Sequence, residues 1–400
     1  MNVDIVVVGA GPAGLCFARA LADTGLSIVV IERQPLDALR EPAFDGREIA
    51  LTQRSVRILR KLGLWDRLGA SDISPLRTAR VLNGQSLQGL SVLPTGTGDG
   101  ELGFLVPNDR IRRAAYACVE HEPRITLVTD TAVGAMSLPD GLPHLQLADG
   151  TSVTARLVVA ADSRFSSLRR DAGISVDMHD FGKTMLVCRM ALEKPHDGEA
   201  LEWFDHGQTM ALLPLHDGEA SVVLTLPGHT MKSVMALDDA QFNQDMRRRF
   251  DGRFGAMNLT STRHAYPLVA TYAHRFIAPR LALIGDAAVG MHPVTAHGFN
   301  LGLLSVDTLA GQIRRAHAAG QDFASPRVLQ RYERTHRVAT LPLYFATQAI
   351  VKLYTDDRLP ARVARTALLR AAQATPPFRR TLARMLEAQG RGERVPPTSG

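Results

Sequence analysis

Cysteine is scarce in this chain: only Cys16, Cys118 and Cys188 occur in 400 residues, and none stands in a CxxC or His-paired spacing. Disulfide scaffolds, metal sites and iron–sulfur clusters are therefore not expected, which fits a reducing cytoplasm. Long apolar runs are missing too. No uninterrupted stretch approaches the roughly 18 residues that a membrane-spanning helix takes, so none is expected. The N-terminus has no basic leader before its first apolar run, and that run ends in glycines, so a signal peptide is not expected either. The formal charge of +6 comes without a stacking-rich groove motif, which argues against nucleic acid as a partner. With 45% hydrophobic residues in a chain longer than one typical core, the expectation is a globular protein of two or three layered units.

What the chain does have is glycine in telling places. Gly9-Ala10-Gly11-Pro12-Ala13-Gly14 follows the apolar run Ile5-Val6-Val7-Val8 and precedes a helical pattern through Leu15, Ala18 and Leu21. In such a loop the first glycine permits a tight turn, the second lets backbone amides approach a pyrophosphate, and the third allows close helix–strand packing. The next apolar run, Ile28-Val29-Val30-Ile31, ends at Glu32-Arg33. A carboxylate there can bind both hydroxyls of an adenosine ribose. This context predicts a bound dinucleotide and leaves NAD and FAD open, because both use the same loop.

A second segment narrows the choice. Leu281-Ala282-Leu283-Ile284 reads as a buried strand, and Gly285-Asp286-Ala287-Ala288, His292-Pro293 and Gly298-Phe299-Asn300-Leu301-Gly302 come after it. A carboxylate at a strand end, succeeded by small residues and a helix start, can accept hydrogen bonds from a sugar-alcohol chain while helix amides face a phosphate or flavin carbonyl. A third segment is the strand-like Ala155-Arg156-Leu157-Val158-Val159-Ala160, with Asp162, Ser166 and Arg169 beyond it.

In order and spacing these three segments resemble the signature of the single-component FAD aromatic hydroxylases, the family that includes p-hydroxybenzoate hydroxylase. The resemblance runs from the first strand to about residue 310. That family has glycine after the middle aspartate where this chain has Ser163, which questions a positive φ at that point. The resemblance implies non-covalent FAD held through Gly9, Gly11, Pro12, Ala13, Gly14, Glu32, Arg33, Asp162 and Asp286, with Pro293, Gly298, Phe299 and Asn300 around the flavin's reactive face. It also implies that Arg47 makes a bidentate phosphate contact and that Asn108 offers an amide to the cofactor. A solvated arginine and an ordinary helix N-cap are the plainer readings of these two.

Asp45-Gly46-Arg47, His292-Pro293 and the Gly298 segment are most similar to the ubiquinone-biosynthesis branch of that family, which hydroxylates polyprenylated phenols or quinols. Most of the branch reads Gly-Gln at Ala296-His297, His at Val289 and Asp at Ser305; its demethoxyubiquinol hydroxylases are similar in sharing the departures. The resemblance implies that reduced flavin and O2 form a C4a-hydroperoxide whose distal oxygen attacks the ring, with the protein excluding water and orienting the substrate. No second glycine-rich loop is present for NAD(P)H; members of the resembled family often lack one and still accept hydride, so the sequence leaves NAD(P)H or another electron donor open. His292 and His297 are the titratable loop residues that either polarise a phenol, tune the flavin or serve only as structural hydrogen-bonders. The alternatives are an isoprenoid reductase or desaturase, a hydroxylase of another small aromatic, and an FAD-bearing assembly subunit without turnover. A halogenase is disfavoured, since Trp65 and Trp203 cannot form that family's Trp-x-Trp motif.

The expected fold class is α/β: a Rossmann-type FAD-binding domain carrying an inserted, mostly antiparallel β-sheet for the substrate, with C-terminal helices. Residues 1–75, 103–180 and 271–310 are assigned to the FAD-binding domain, 76–102 and 181–270 to the sheet, 311–390 to helices and 391–400 to a disordered tail. Strands are expected over Thr184–Leu192, Leu201–Phe204, Thr209–Leu215 and Glu219–Leu226, and helix from Ser305 onward. From Lys352 to Arg394 ten basic side chains face four acidic ones, an excess equal to the whole chain's +6. Such an end either lies on an anionic leaflet or faces solvent or a partner. The expected partners are thus a lipophilic aromatic or quinol, with weak membrane-surface contact or other ubiquinone-biosynthesis proteins. The expected location is the cytoplasm and the inner face of its membrane.

Overall fold

Five parallel strands set the frame that positions Gly9, Glu32, Asp162 and Asp286. In the computed structural model, which describes residues 1–84, 89–94, 100–205, 207–292 and 298–355, the strands Leu281–Leu283, Ser152–Ala160, Asn2–Val8, Ile28–Ile31 and Ile125–Val128 lie side by side in that order. Their β-branched and leucine side chains are buried on both faces, as parallel sheets require. The helix Pro12–Ala20 crosses between the first two strands in sequence and packs against the helices Gly298–Ala318 and Asn108–Ala117. Ser152–Ala160 also pairs, at its outer end, with the antiparallel strand His144–Leu147, which continues to Val133–Ser137.

A second sheet has nine strands. It is antiparallel throughout except where Glu199–Asp205 runs parallel to Thr78–Asn83. One face is covered by the helices Gly228–Met235 and Asp239–Arg249, whose Met231, Val234, Phe242 and Met246 pack on Leu186, Cys188, Leu201, Trp203 and Leu224. Asp238 and Gln241 close the second helix with a capping box. The other face is defined by register. Val81, Glu202, Ala211, Val223, Val187 and His264 stand directly opposite one another in one row across six strands, so their side chains share a face. A three-stranded sheet of Glu48–Leu51, Gly103–Pro107 and Ser74–Leu76 completes the β-structure among the described residues.

Three elements differ from expectation. The strand anticipated from Thr184 begins at Val176, because Asp177-Met178-His179-Asp180 pairs with the strand His264–Ala273 despite showing no apolar alternation. The helix anticipated from Ser305 begins at Gly298, so the glycine motif forms its first turn. Instead of entering a helix directly, the chain after Asp286 makes one 3-10 turn and then the short strand Val289–Gly290, which pairs with Thr271–Tyr272. The last described element is the helix Pro326–Thr355; the anticipated basic C-terminal residues from Arg358 and the polar tail lie outside the described residues. No described helix is long and apolar enough to cross a membrane.

Candidate cofactor site

Gly9, Glu32, Asp162 and Asp286 stand just beyond the carboxyl ends of four neighbouring parallel strands, the edge at which open α/β sheets bind ligands. The three loop glycines are there for different reasons. Gly9 has φ +106°, and a Cβ on it would lie 2.6 Å from the Ala161 carbonyl oxygen; a Cβ on Gly14 would lie 2.0 Å from the Gly9 oxygen. Both are imposed by the protein's own packing. Gly11 has an ordinary φ of −67°, and a Cβ there would meet nothing within 4 Å. Its openness suits close approach of a ligand phosphate to the first amides of the helix Pro12–Ala20. Pro12 starts that helix, and the Ala13 methyl fits against Gly285 and Gly302, joining the loop to the Asp286 turn and the Gly298 helix.

Glu32 is oriented by the protein before any ribose arrives. Its carboxylate accepts the amide of Ala10 at 2.7 Å and that of Gln34 at 3.0 Å. Arg33 beside it is exposed. Asp162 is more deeply set: burial raises its pKa, opposed by hydrogen bonds from Ser166 and Ser163, and its Oδ1 is buried without a partner among the described residues. An orphaned carboxylate oxygen beside Gly9 is the kind of acceptor a bound ligand satisfies. Ser163 does not stand among the residues of positive φ, so the family's glycine is not required here. Its Oγ accepts the Phe165 amide at 3.1 Å.

Asp286 is held by a partner 122 positions away: Arg164 Nη2 donates to its Oδ2 at 2.9 Å, while Nη1 of Arg164 donates to the Val269 carbonyl at 2.7 Å. Arg169, 1% exposed, donates to the Ala287 and Arg164 carbonyls at 3.0 and 2.8 Å, locking the two turns together. Ser305 contributes from the helix, accepting the Gly285 amide at 3.1 Å. None of these links follows from local pattern; only the sequence spacing Asp162, Ser166, Arg169 hinted that the middle segment was special.

A third cluster surrounds Asp45. Arg47 Nε and Nη2 donate to its carboxylate at 3.1 and 2.6 Å, Asn108 Nδ2 at 2.8 Å, and Tyr266 donates to its main-chain oxygen at 2.7 Å. Burial works against the charge, but the Arg47 and Asn108 contacts outweigh it and hold the Asp45 carboxyl below its usual range. The N-cap reading of Asn108 is corrected: Pro107 is the capping residue, and Asn108 is the first residue of the helix with its side chain turned to Asp45. Val187 faces the same place, since its Cγ2 lies 2.8 Å from an ideal Cβ on Gly46.

The Asn300 side chain faces inward. Its Oδ1 accepts from the Thr52 amide and the Ser55 hydroxyl, and its Nδ2 donates to the Ala50 carbonyl, so it clamps the helix onto the small sheet and leaves only backbone for a cofactor. Gly298 and Phe299 are half-buried beside it. His292 is buried edge-on to Phe181, and desolvation, with smaller contributions from Lys183 and His179, brings its pKa down to about 4. It is neutral near pH 7. Pro293 and His297 lie outside the described residues.

The chain is similar to known proteins in sequence and fold. A profile described as FAD binding domain matches residues 2–341. Ubiquinone hydroxylase UbiM of Neisseria meningitidis is 45% identical over 390 residues, covering 96% of this chain and 85% of that protein. Ubiquinone hydroxylase UbiL of Rhodospirillum rubrum is 34% identical over 382 residues, covering 95% and 88%. Among solved structures, p-nitrophenol 4-monooxygenase PnpA of Pseudomonas putida superposes with a TM-score of 0.79 at 19% identity, covering 98% and 100%.

Proposed function

The chain belongs to the FAD binding domain family, and on that premise we propose that it is an FAD-dependent monooxygenase hydroxylating the ring of a polyprenyl phenol or quinol in ubiquinone biosynthesis. A demethoxyubiquinol is the substrate this reading favours. The observation that carries it is an opposition of two surfaces. The Asp45–Arg47 cluster, whose Arg47 also feels the charge of Asp286, meets at Gly46 and Val187 a sheet face built from Val81, Ala211, Val223 and Met185. Such a wall suits an apolar ring and excludes water from it.

Bound FAD supplies the oxygen-activating chemistry. The chain's own residues bind and orient. Gly11 and the helix start receive pyrophosphate, Glu32 the adenosine ribose, Asp286 and Asp162 the ribityl and phosphate region, and Arg47 an anionic oxygen, with Asp45 and Asn108 fixing its guanidinium. His292, being neutral, offers a hydrogen bond and no charge. A surface route for a bilayer-resident substrate is supported by Val338 and Phe345, two turns apart on the helix Pro326–Thr355 and 72% and 61% exposed. Association with anionic vesicles that weakens as salt rises is expected.

The test of the function is isotopic and genetic. Purified protein given NADH, a short-chain demethoxyubiquinol and ¹⁸O2 is expected to place label on the ring, and a strain lacking the gene to accumulate an under-hydroxylated quinone. Unlabelled product, or normal quinone in a strain without a second hydroxylase, overturns the reading.

A further inference from the structure

Resting on that functional reading, we propose that Glu202 is the carboxyl group that hydrogen-bonds the substrate's ring hydroxyl and takes up its proton as the ring is hydroxylated. Register places it. Glu202 is opposite Ala211 on one side and Val81 on the other, and the row continues through Val223 to Val187, the residue that meets Gly46 of the cofactor cluster. Three strand spacings separate Glu202 from Val187, about 14 Å, which leaves room for one substituted ring between them. The opposite face is filled by the two covering helices, so the carboxyl belongs to the cofactor side.

Its surroundings do not account for it. Its neighbours on the same face of its own strand, Ala200 and Phe204, are buried at 8% and 5% exposure, as is Ala211 across from it. Glu202 itself is half-buried, as a side chain is when wrapped by protein at a cavity wall. It makes no hydrogen bond or ion pair among the described residues, which leaves its carboxyl oxygens open to the space in front of the sheet, where a ligand can reach them. The charged and titratable groups elsewhere on this face are committed or distant. Arg189 grips Glu48 at 2.6 Å, Lys183 stands four residues from Val187 on that residue's own strand, three strands away from Glu202, Tyr266 is bonded to Asp45, and His264 to Thr262.

Burial alone, with no charged neighbour contributing, raises the Glu202 pKa to about 8. That brings it within about 2 pH units of a phenol, where an ordinary glutamate is nearly 6 away, and proton transfer between matched groups is efficient. The step is balanced: the ring O–H bond breaks, a carboxyl O–H bond forms, and the electron pair left on oxygen is shared with the ring carbon to be hydroxylated. Below its pKa the same group donates to the substrate oxygen and orients the ring.

The experiment is a single turnover of photoreduced holoenzyme mixed with O2 and a short-chain demethoxyubiquinol, reading hydroxylated product against pH. In the parent the rate rises through about pH 8. Glu202→Gln is expected to keep its FAD and bind the probe within about threefold, yet to lose at least about 100-fold in hydroxylation and all of the rise. Glu202→Asp recovers part of both. A glutamine variant with the parent's rate and profile overturns the role of Glu202, as does one that loses FAD or fold while the aspartate variant shows the parent's profile. A parent that makes no hydroxylated product overturns the functional reading itself.

Discussion

Replacing Gly11 with alanine should separate folding from cofactor binding. The substitution places a methyl group where nothing lies within 4 Å, on a residue whose φ of −67° alanine adopts freely. The apoprotein should therefore melt at or slightly above the parent, since the unfolded chain loses freedom worth about 0.4–1 kcal/mol. Flavin affinity should fall. The methyl holds a pyrophosphate away from the helix amides, and each charge-assisted hydrogen bond lost is worth about 1.5–3 kcal/mol, or about 10- to 100-fold in Kd. Gly14→Ala is the control. Its Cβ would lie 2.0 Å from the Gly9 carbonyl oxygen, so the helix must move off the strand and apoprotein stability must drop. Melting is to be measured without flavin, because bound ligand raises Tm by mass action, and affinity by quenching of flavin fluorescence. A Gly11→Ala protein that binds FAD like the parent would refute the assignment of the open side of this loop to phosphate.

Asp286→Ala should lower flavin occupancy and also release Arg164, which donates to it at 2.9 Å; flavin content equal to the parent's after purification would count against Asp286 as a ribityl acceptor. Stability should fall on acidification from about pH 6.5 to about pH 4 because folded His292 binds its proton only near pH 4. The folded state then holds fewer protons than the unfolded one across that window, a loss of at most about 3 kcal/mol, and His292→Asn should flatten the slope in urea titrations at each pH. Arg189→Met should cost about 3–5 kcal/mol by leaving Glu48, whose side chain is fully buried, without its cation, and adding Glu48→Met should recover most of that loss in chemical denaturation.

The cofactor-binding frame was legible because each part is written locally. A buried parallel strand is a continuous run of β-branched residues, and the ligand-facing residue at its end, Gly9, Glu32, Asp162 or Asp286, is close by in sequence. Parallel pairing then has little choice but to bring those ends to one edge. Four features escaped because their cause is remote in sequence. Val176 to Asp180 is strand only because His264–Ala273 lies beside it. Asn108 looked like a cap and instead serves Asp45, 63 positions away. Asp286 depends on Arg164, a pairing no periodicity encodes. Glu202 is, in sequence, one more glutamate in an amphipathic strand. Alternation says that it opposes Leu201 and Trp203, but which face meets the cofactor is set by the register of six strands and by the helices that cover the other side. Local pattern determines which backbone an apolar run makes and which residue stands at its end. Burial, charge pairing and proton affinity are properties of surroundings, and only the packed chain supplies those.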